Sequence, residues 1–152
     1  MPSEAVPGGP LTILLVEDNL PHAELVKRTL QAHQIANRLY HVGDGEAALA
    51  YLFRHGEYAD PATSPRPQVV VLDLHLPKLS GLEVLKAIRA SMELPTVPVV
   101  ILTTSTAERD VVCAYEHHVN SYLVKPVDYA QFSQLLHDLG FYWLNWNYYP
   151  GL

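Results

Sequence analysis

Three acids, a threonine and a lysine stand at the ends of apolar runs in this 152-residue chain. LTILLVED ends in Glu17 and Asp18, PQVVVLD in Asp73, PTVPVVILT in Thr103 with Thr104 beside it, and NSYLVK in Lys125. Carboxylates gathered in one place repel one another unless a cation joins them or some stay protonated. A donor set made only of oxygen favours a hard cation such as Mg²⁺, whose shell is completed by water and a substrate phosphate. A lysine on the other side can neutralise phosphoryl oxygens, and a threonine hydroxyl can donate to one of them. Nucleophile, metal, cation and hydroxyl donor are together the parts needed for phosphoryl transfer onto a carboxylate.

These residues converge only if the chain folds so that the run ends meet. After LTILLVED, NLPHAELVKRTLQAH has Pro21 in a first helical turn and Ala23, Val26 and Leu30 at helical spacing. NRLYHV then reads as a second strand and DGEAALAYLFRHG as a second helix, capped by Asp44 and stopped by Gly56. EYADPATSPRP, residues 57–67, reads as an exposed connection before the third strand. Ser80 and Glu83 have the spacing of a capping box for a helix that buries Leu82, Leu85 and Ile88. PTVPVVILT and AERDVVCAYEHH supply the fourth pair, NSYLVK and DYAQFSQLLHDLG the fifth, with Asp128 as cap and Gly140 as stop.

Five strand-helix pairs whose strands are continuous apolar runs predict a doubly wound α/β domain around a parallel sheet buried on both faces. In the flavodoxin-like order 2-1-3-4-5, the first and third strands are neighbours at the switch point, where ligands bind at the carboxyl ends of strands. Asp73 therefore closes a buried strand because that position delivers a carboxylate into the crevice, and Pro77 and Gly81 shape the turn that follows.

ILLVEDN, VVVLDLHLPKLSG, VVILTTS and SYLVKP, in this order, resemble the receiver domain of two-component response regulators over residues 11–139. Thr103 and Lys125 follow Asp73 by 30 and 52 residues, intervals similar to those of that family. The resemblance implies that Asp73 is the phosphoacceptor and Asp18 a direct Mg²⁺ ligand. It makes Glu17 an acid acting mainly through water, and His75 the donor of a backbone carbonyl to the metal. It implies further that Thr103 follows the phosphoryl group, that Lys125 pairs with it, that Tyr122 changes rotamer on activation, and that the Lys125-Pro126 peptide is cis. The implied function is that of a signalling protein rather than an enzyme with a separate substrate. A sensor histidine kinase supplies the phosphoryl group, and the face made by the fourth and fifth helices and the fifth strand is switched.

Residues 1–10, MPSEAVPGGP, read as a mobile lead-in, and residues 140–152 as an arm. The arm carries Phe141, Tyr142, Trp143, Trp146, Tyr148 and Tyr149, a density of aromatic rings that usually means an interface. A stand-alone receiver with such an arm resembles the response regulators of bacterial phytochrome histidine kinases, in which the extension contributes to homodimers. With so little sequence after the fifth helix, output is expected through docking or self-association rather than an output domain.

Composition narrows the classes. A net charge of −6 with only ten Lys and Arg argues against direct nucleic-acid binding. The single cysteine, Cys113, cannot form an internal disulfide, and neither a signal segment nor an apolar run of about 18 residues is present, so a cytoplasmic protein without a membrane span is expected. A haloacid-dehalogenase-like phosphohydrolase also uses an aspartate nucleophile, Mg²⁺ and a lysine, but wants a second acid where this chain has His75. A flavodoxin-like electron carrier would place its flavin phosphate against VEDNLP, which is acidic. His117-His118 point to different sides of a helix and make a poor zinc site, and His22 is expected as a solvated residue of a first helical turn.

Overall fold

The computed structural model describes residues 11–32 and 37–142. The expected lead-in, the side chain of Phe141, and Trp143, Trp146, Tyr148 and Tyr149 of the arm lie outside the described residues. Among the described residues five strands, β1 (Leu11–Val16), β2 (Asn37–Val42), β3 (Val69–Leu72), β4 (Val99–Thr103) and β5 (Ser121–Val124), alternate with five helices. These are α1 (Leu20–Gln31), α2 (Gly45–Leu52), α3 (Gly81–Ala90), α4 (Glu108–Glu116) and α5 (Tyr129–Phe141). Every strand pairing is parallel and the order is β2-β1-β3-β4-β5, as expected.

Side chains alternate across a strand, so each apolar run feeds two cores. Leu14, Val16, Val70, Leu72, Val99 and Ile101 pack with Ala48, Leu52, Val84, Leu85, Ile88 and Ala114 of α2, α3 and α4. The residues between them, Ile13, Leu15, Val69, Val71, Val100 and Leu102, pack with Ala23, Val26 and Leu30 of α1 and with Phe132 and Leu136 of α5. No helix among the described residues is long and apolar enough to cross a membrane.

The expected caps are in place: Asp44 accepts from Ala47 N, Asp128 from Ala130 N, and Ser80 and Glu83 close a reciprocal capping box. The stops differ. α2 ends at Leu52, not at Gly56: His55 N donates to Ala50 O (2.8 Å) and Arg54 N to Tyr51 O (3.3 Å). These are the paired bonds of a Schellman turn, with Arg54 in the left-handed region at φ 59° and Gly56 following in a turn of its own. His118 stops α4 in the same way at φ 61°, so its backbone terminates a helix. Gly140 does not stop α5, which continues to Phe141; a glycine inside a helix costs only about 1 kcal/mol, and buried neighbours on the same helix outweigh it.

The connection 57–67 is less exposed than its composition suggests. Tyr51 donates its hydroxyl to Pro65 O at 2.8 Å, the Tyr58 ring packs at 5.4 Å from that of Tyr51, and Ser64 and Pro67 are buried. The Lys125-Pro126 peptide, expected to be cis, is trans, the isomer a prolyl bond favours by roughly 0.5–1 kcal/mol in the absence of opposing contacts.

Candidate functional site

The charged residues at the carboxyl edge of the sheet are held by the sheet's own hydrogen bonds. Glu17 N donates to Val42 O of β2, Asp73 N to Val16 O of β1, and Lys125 N to Thr103 O of β4, at 3.1, 3.1 and 2.7 Å. Each functional residue is thus the first one past its strand, still tied by its amide to the neighbouring strand. Val16 pairs with Leu72 in register, so Glu17 and Asp73 emerge side by side.

At this edge the Lys125 ammonium lies between two carboxylates, 2.6 Å from Glu17 Oε1 and 3.1 Å from Asp73 Oδ2. All three residues are buried, at 4%, 2% and 8% exposure for Lys125, Glu17 and Asp73, whereas Asp18 and His75 face solvent. Asp73 Oδ1 accepts from Leu74 N at 2.7 Å and from His75 N at 3.4 Å, which fixes the plane of the carboxylate. Glu17 Oε2 accepts from Asn19 N at 3.1 Å.

Burial pushes the Glu17 carboxyl up to about 7, although its bond from Lys125 favours the charged form. Asp73 moves the other way. Burial raises it, but the field and the hydrogen bond of the adjacent Lys125 ammonium prevail and hold it below the usual carboxylate range. Carboxylate oxygens of Glu17, Asp18 and Asp73 all lie within 4.8 Å of one another. Three acids facing one ammonium leave an excess of negative charge, and an all-oxygen set of this kind fits a hard divalent cation.

The turn after Asp73 admits only glycine at position 81. A Cβ there would lie 2.1 Å from Asp73 O and 2.8 Å from Leu74 Cα, so α3 can start this close to the acceptor strand only without a side chain. Gly81 N in turn donates to Leu74 O at 2.9 Å.

Thr103 is fully buried; its Oγ1 accepts from Ser105 N at 3.3 Å, and its hydroxyl also bonds the Asp73 carboxylate, which helps hold that group ionised. Tyr122 does not reach the carboxylates. Its hydroxyl donates to Ser105 O at 3.0 Å, so Thr103 and Tyr122 grip the same residue from its two backbone ends. Ser105 Oγ donates to Asp110 Oδ2 of α4 at 2.6 Å, which connects this strand end to the helix.

One residue of the site departs from expectation. His22 is not a solvated first-turn side chain: it is half-buried, with Nδ1 2.9 Å from Lys125 Nζ. Its place in the turn after the acidic pair puts it at the crevice mouth, but its direction depends on α5, whose Phe132 meets the ring edge-on at 5.2 Å.

The model of the response regulator receiver domain matches residues 13–137. The probable methanogenesis regulatory protein FilR2 of Methanothrix harundinacea is 44% identical over 142 residues, 93% of this chain and 89% of that protein. Response regulator Rcp1 of a Synechocystis strain is 42% identical over 135 residues, 89% of this chain and 90% of that one. The crystal structure of its Mn²⁺-bound form superposes with a TM-score of 0.88 at 41% identity, covering 93% of this chain and 100% of that chain. The phosphorylated cyanobacterial phytochrome response regulator RcpA superposes with a TM-score of 0.87 at 37% identity, covering 93% and 99%. On its fold, the order of its charged strand ends and these matches, the chain belongs to the response regulator receiver domain family.

Proposed function

We propose that Asp73 accepts a phosphoryl group from a sensor histidine kinase and that the charge so introduced switches a protein-interaction surface. The observation that carries this reading is the buried Lys125 ammonium spanning Glu17 and Asp73 beside exposed Asp18. In the transfer, an Asp73 carboxylate oxygen forms the new bond to phosphorus while the phosphorus–nitrogen bond of the donor phosphohistidine breaks. The electron pair and a proton end on the donor imidazole. Lys125 turns from Asp73 Oδ2 to a phosphoryl oxygen, and the Thr103 hydroxyl donates to another.

Mg²⁺ fits the acids present: Asp18 and Asp73 would ligate it directly, Glu17 through water, and His75 by its backbone carbonyl. Bound there it supplies charge neutralisation for the phosphoryl oxygens. A Thr103 drawn toward the phosphoryl group pulls on Ser105 N, and the bond from Tyr122 to Ser105 O carries that movement to β5 and α4. The exposed apolar residues Val112 and Tyr115 of α4 and Val124 of β5 lie on the elements so moved, with exposed Val127 and Tyr129 following β5 at the start of α5. The phosphohydrolase alternative has no support in the family match, and the position where it needs a second acid holds exposed His75.

The test is intact-protein mass after incubation with acetyl phosphate, with Mg²⁺ or with chelator. A single phosphoryl adduct is expected that needs both the metal and Asp73. An adduct of equal yield on the Asp73→Asn variant would overturn the assignment. RcpA's description as a phytochrome response regulator supports a bacterial phytochrome kinase as the natural donor. Faster transfer from such a kinase than from an unrelated one is the expected second arm of the experiment, and equal rates would remove that partner.

The exposed Tyr142 at the start of the aromatic segment supports self-association through the arm, as a homodimer. Deleting residues 141–152 is expected to lower the particle mass in light scattering, and an unchanged mass would take the arm out of the interface.

A further inference from the structure

The Lys125 ammonium has three N–H bonds and three acceptors within reach: Glu17 Oε1 at 2.6 Å, His22 Nδ1 at 2.9 Å and Asp73 Oδ2 at 3.1 Å. Two are carboxylates, and the third is a ring nitrogen. An ammonium can only donate, so His22 Nδ1 carries a lone pair and the proton of the neutral ring sits on Nε2. Burial and then the charge of Lys125 both favour the uncharged imidazole.

The ring is set by contacts independent of the lysine. Its residue opens α1 with His22 N donating to Asn19 Oδ1 at 3.0 Å. The ring stands at 88° to that of Phe132, a residue of α5 with 3% exposure. Two helices therefore hold one neutral acceptor against the ammonium.

We infer that His22 is a positioning residue for phosphoryl transfer, its Nδ1 holding the Lys125 ammonium in place while the lysine exchanges its anionic partners. This rests on the reading of Asp73 as the phosphoacceptor. When Asp73 becomes an acyl phosphate, its Oδ2 no longer offers a full carboxylate charge, and Lys125 must bond a phosphoryl oxygen instead. A third carboxylate at position 22 would compete with the phosphoryl group for the ammonium. A neutral nitrogen satisfies the remaining N–H without that competition, and a buried ammonium left one acceptor short would be misplaced or drawn toward solvent.

Two measurements test this. In the first, adduct formation from acetyl phosphate and Mg²⁺ is timed by intact mass for wild type, His22→Leu and His22→Asn, with Asp73→Asn as the zero. Leucine lacks an acceptor, whereas the asparagine Oδ1 stands where Nδ1 stands. The His22→Leu rate is expected to fall about tenfold, equivalent to ~1.4 kcal/mol, and His22→Asn to recover to within about threefold of wild type. Both variants lose the edge contact with Phe132, so an equal loss in the two would mark a packing role and overturn the inference. A wild-type rate in His22→Leu would overturn it too.

In the second, the ¹⁵N shifts of the histidine rings are recorded on the unphosphorylated wild type. His22 Nδ1 is expected in the pyridine-type range, shifted by its bond from Lys125, and a protonated Nδ1 would overturn the inference. This measurement needs no phosphoryl group. A wild type that forms no adduct would therefore count against Asp73 as acceptor while the bond between His22 and Lys125 is still decided.

Discussion

Arg89 and Lys125 are both drawn in at the same sheet, Arg89 beside the amino ends of β4 and β5 and Lys125 at the carboxyl ends. Their surroundings differ in kind. Arg89 makes five hydrogen bonds: Nε and Nη2 to His118 O, Nη2 to Asn120 Oδ1, and Nη1 to Pro95 O and Val97 O. Every acceptor is neutral and part of a loop that the guanidinium ties down. Lys125 instead sits among Glu17 and Asp73, with Asp18 close by, where negative charge exceeds positive. The first end is satisfied as it stands. The second is satisfied only with a further cation or a retained proton, and that shortfall is what makes it a site.

A large effect expected from this difference is stabilisation by Mg²⁺ at one end alone. At a hundredfold excess over its dissociation constant the ion is expected to raise the unfolding free energy by about 2.7 kcal/mol, measured by urea titration. Most of that gain should vanish in Asp18→Asn. An equal gain in the variant would move the ion elsewhere.

Next in size is the loss of the neutral clamp. Arg89→Ala is expected to lower stability by ~2 kcal/mol, because charge-assisted bonds from one side chain to several carbonyls are lost together. Phosphoryl uptake at saturating Mg²⁺ should keep its wild-type rate. A variant that loses uptake but not stability would reverse the contrast between the two ends.

A pH dependence should separate the two ends as well. Without metal the folded Glu17 carboxyl titrates at about 7, against 4.5 as its ordinary value, so between these values the folded chain holds a proton that the unfolded chain has released. Stability from this group is complete below about 4.5 and is lost as the pH rises through 7. Urea midpoints recorded in chelator should therefore decline across this window for wild type relative to Glu17→Gln, and Mg²⁺ should flatten the decline. Parallel curves for the two proteins would show that burial does not govern Glu17.

The candidate site was legible in part because its residues stand at or just past the carboxyl ends of their strands. Apolar runs locate the strands, and their ends locate Glu17, Asp18, Asp73, Thr103 and Lys125. Arg89 gave no such signal. On its helix it looks like any basic residue of a last turn, and its acceptors come from two loops that only packing brings to it. The connection 57–67 misled for a related reason: its prolines and small polar residues read as exposed, yet Tyr51 from α2 draws Pro65 inward.

What the sequence by itself determined is local or periodic: the five strand-helix pairs, the Asp44 and Asp128 caps, and the Ser80–Glu83 box. Each depends on residues within about four positions of one another or on a repeating apolar pattern. What only the tertiary structure decided depends on partners far apart in the chain. The acceptor that His22 offers Lys125 joins residues 103 apart, and the bond of Lys125 to Asp73 spans 52. The stops of α2 and α4 are local yet were not legible either, since Arg54 and His118 take left-handed backbone that glycine would adopt more readily. Local pattern chooses among helix, strand and turn, but where a polar side chain finds its partner is settled by packing, because a buried donor without an acceptor costs more than almost any local preference.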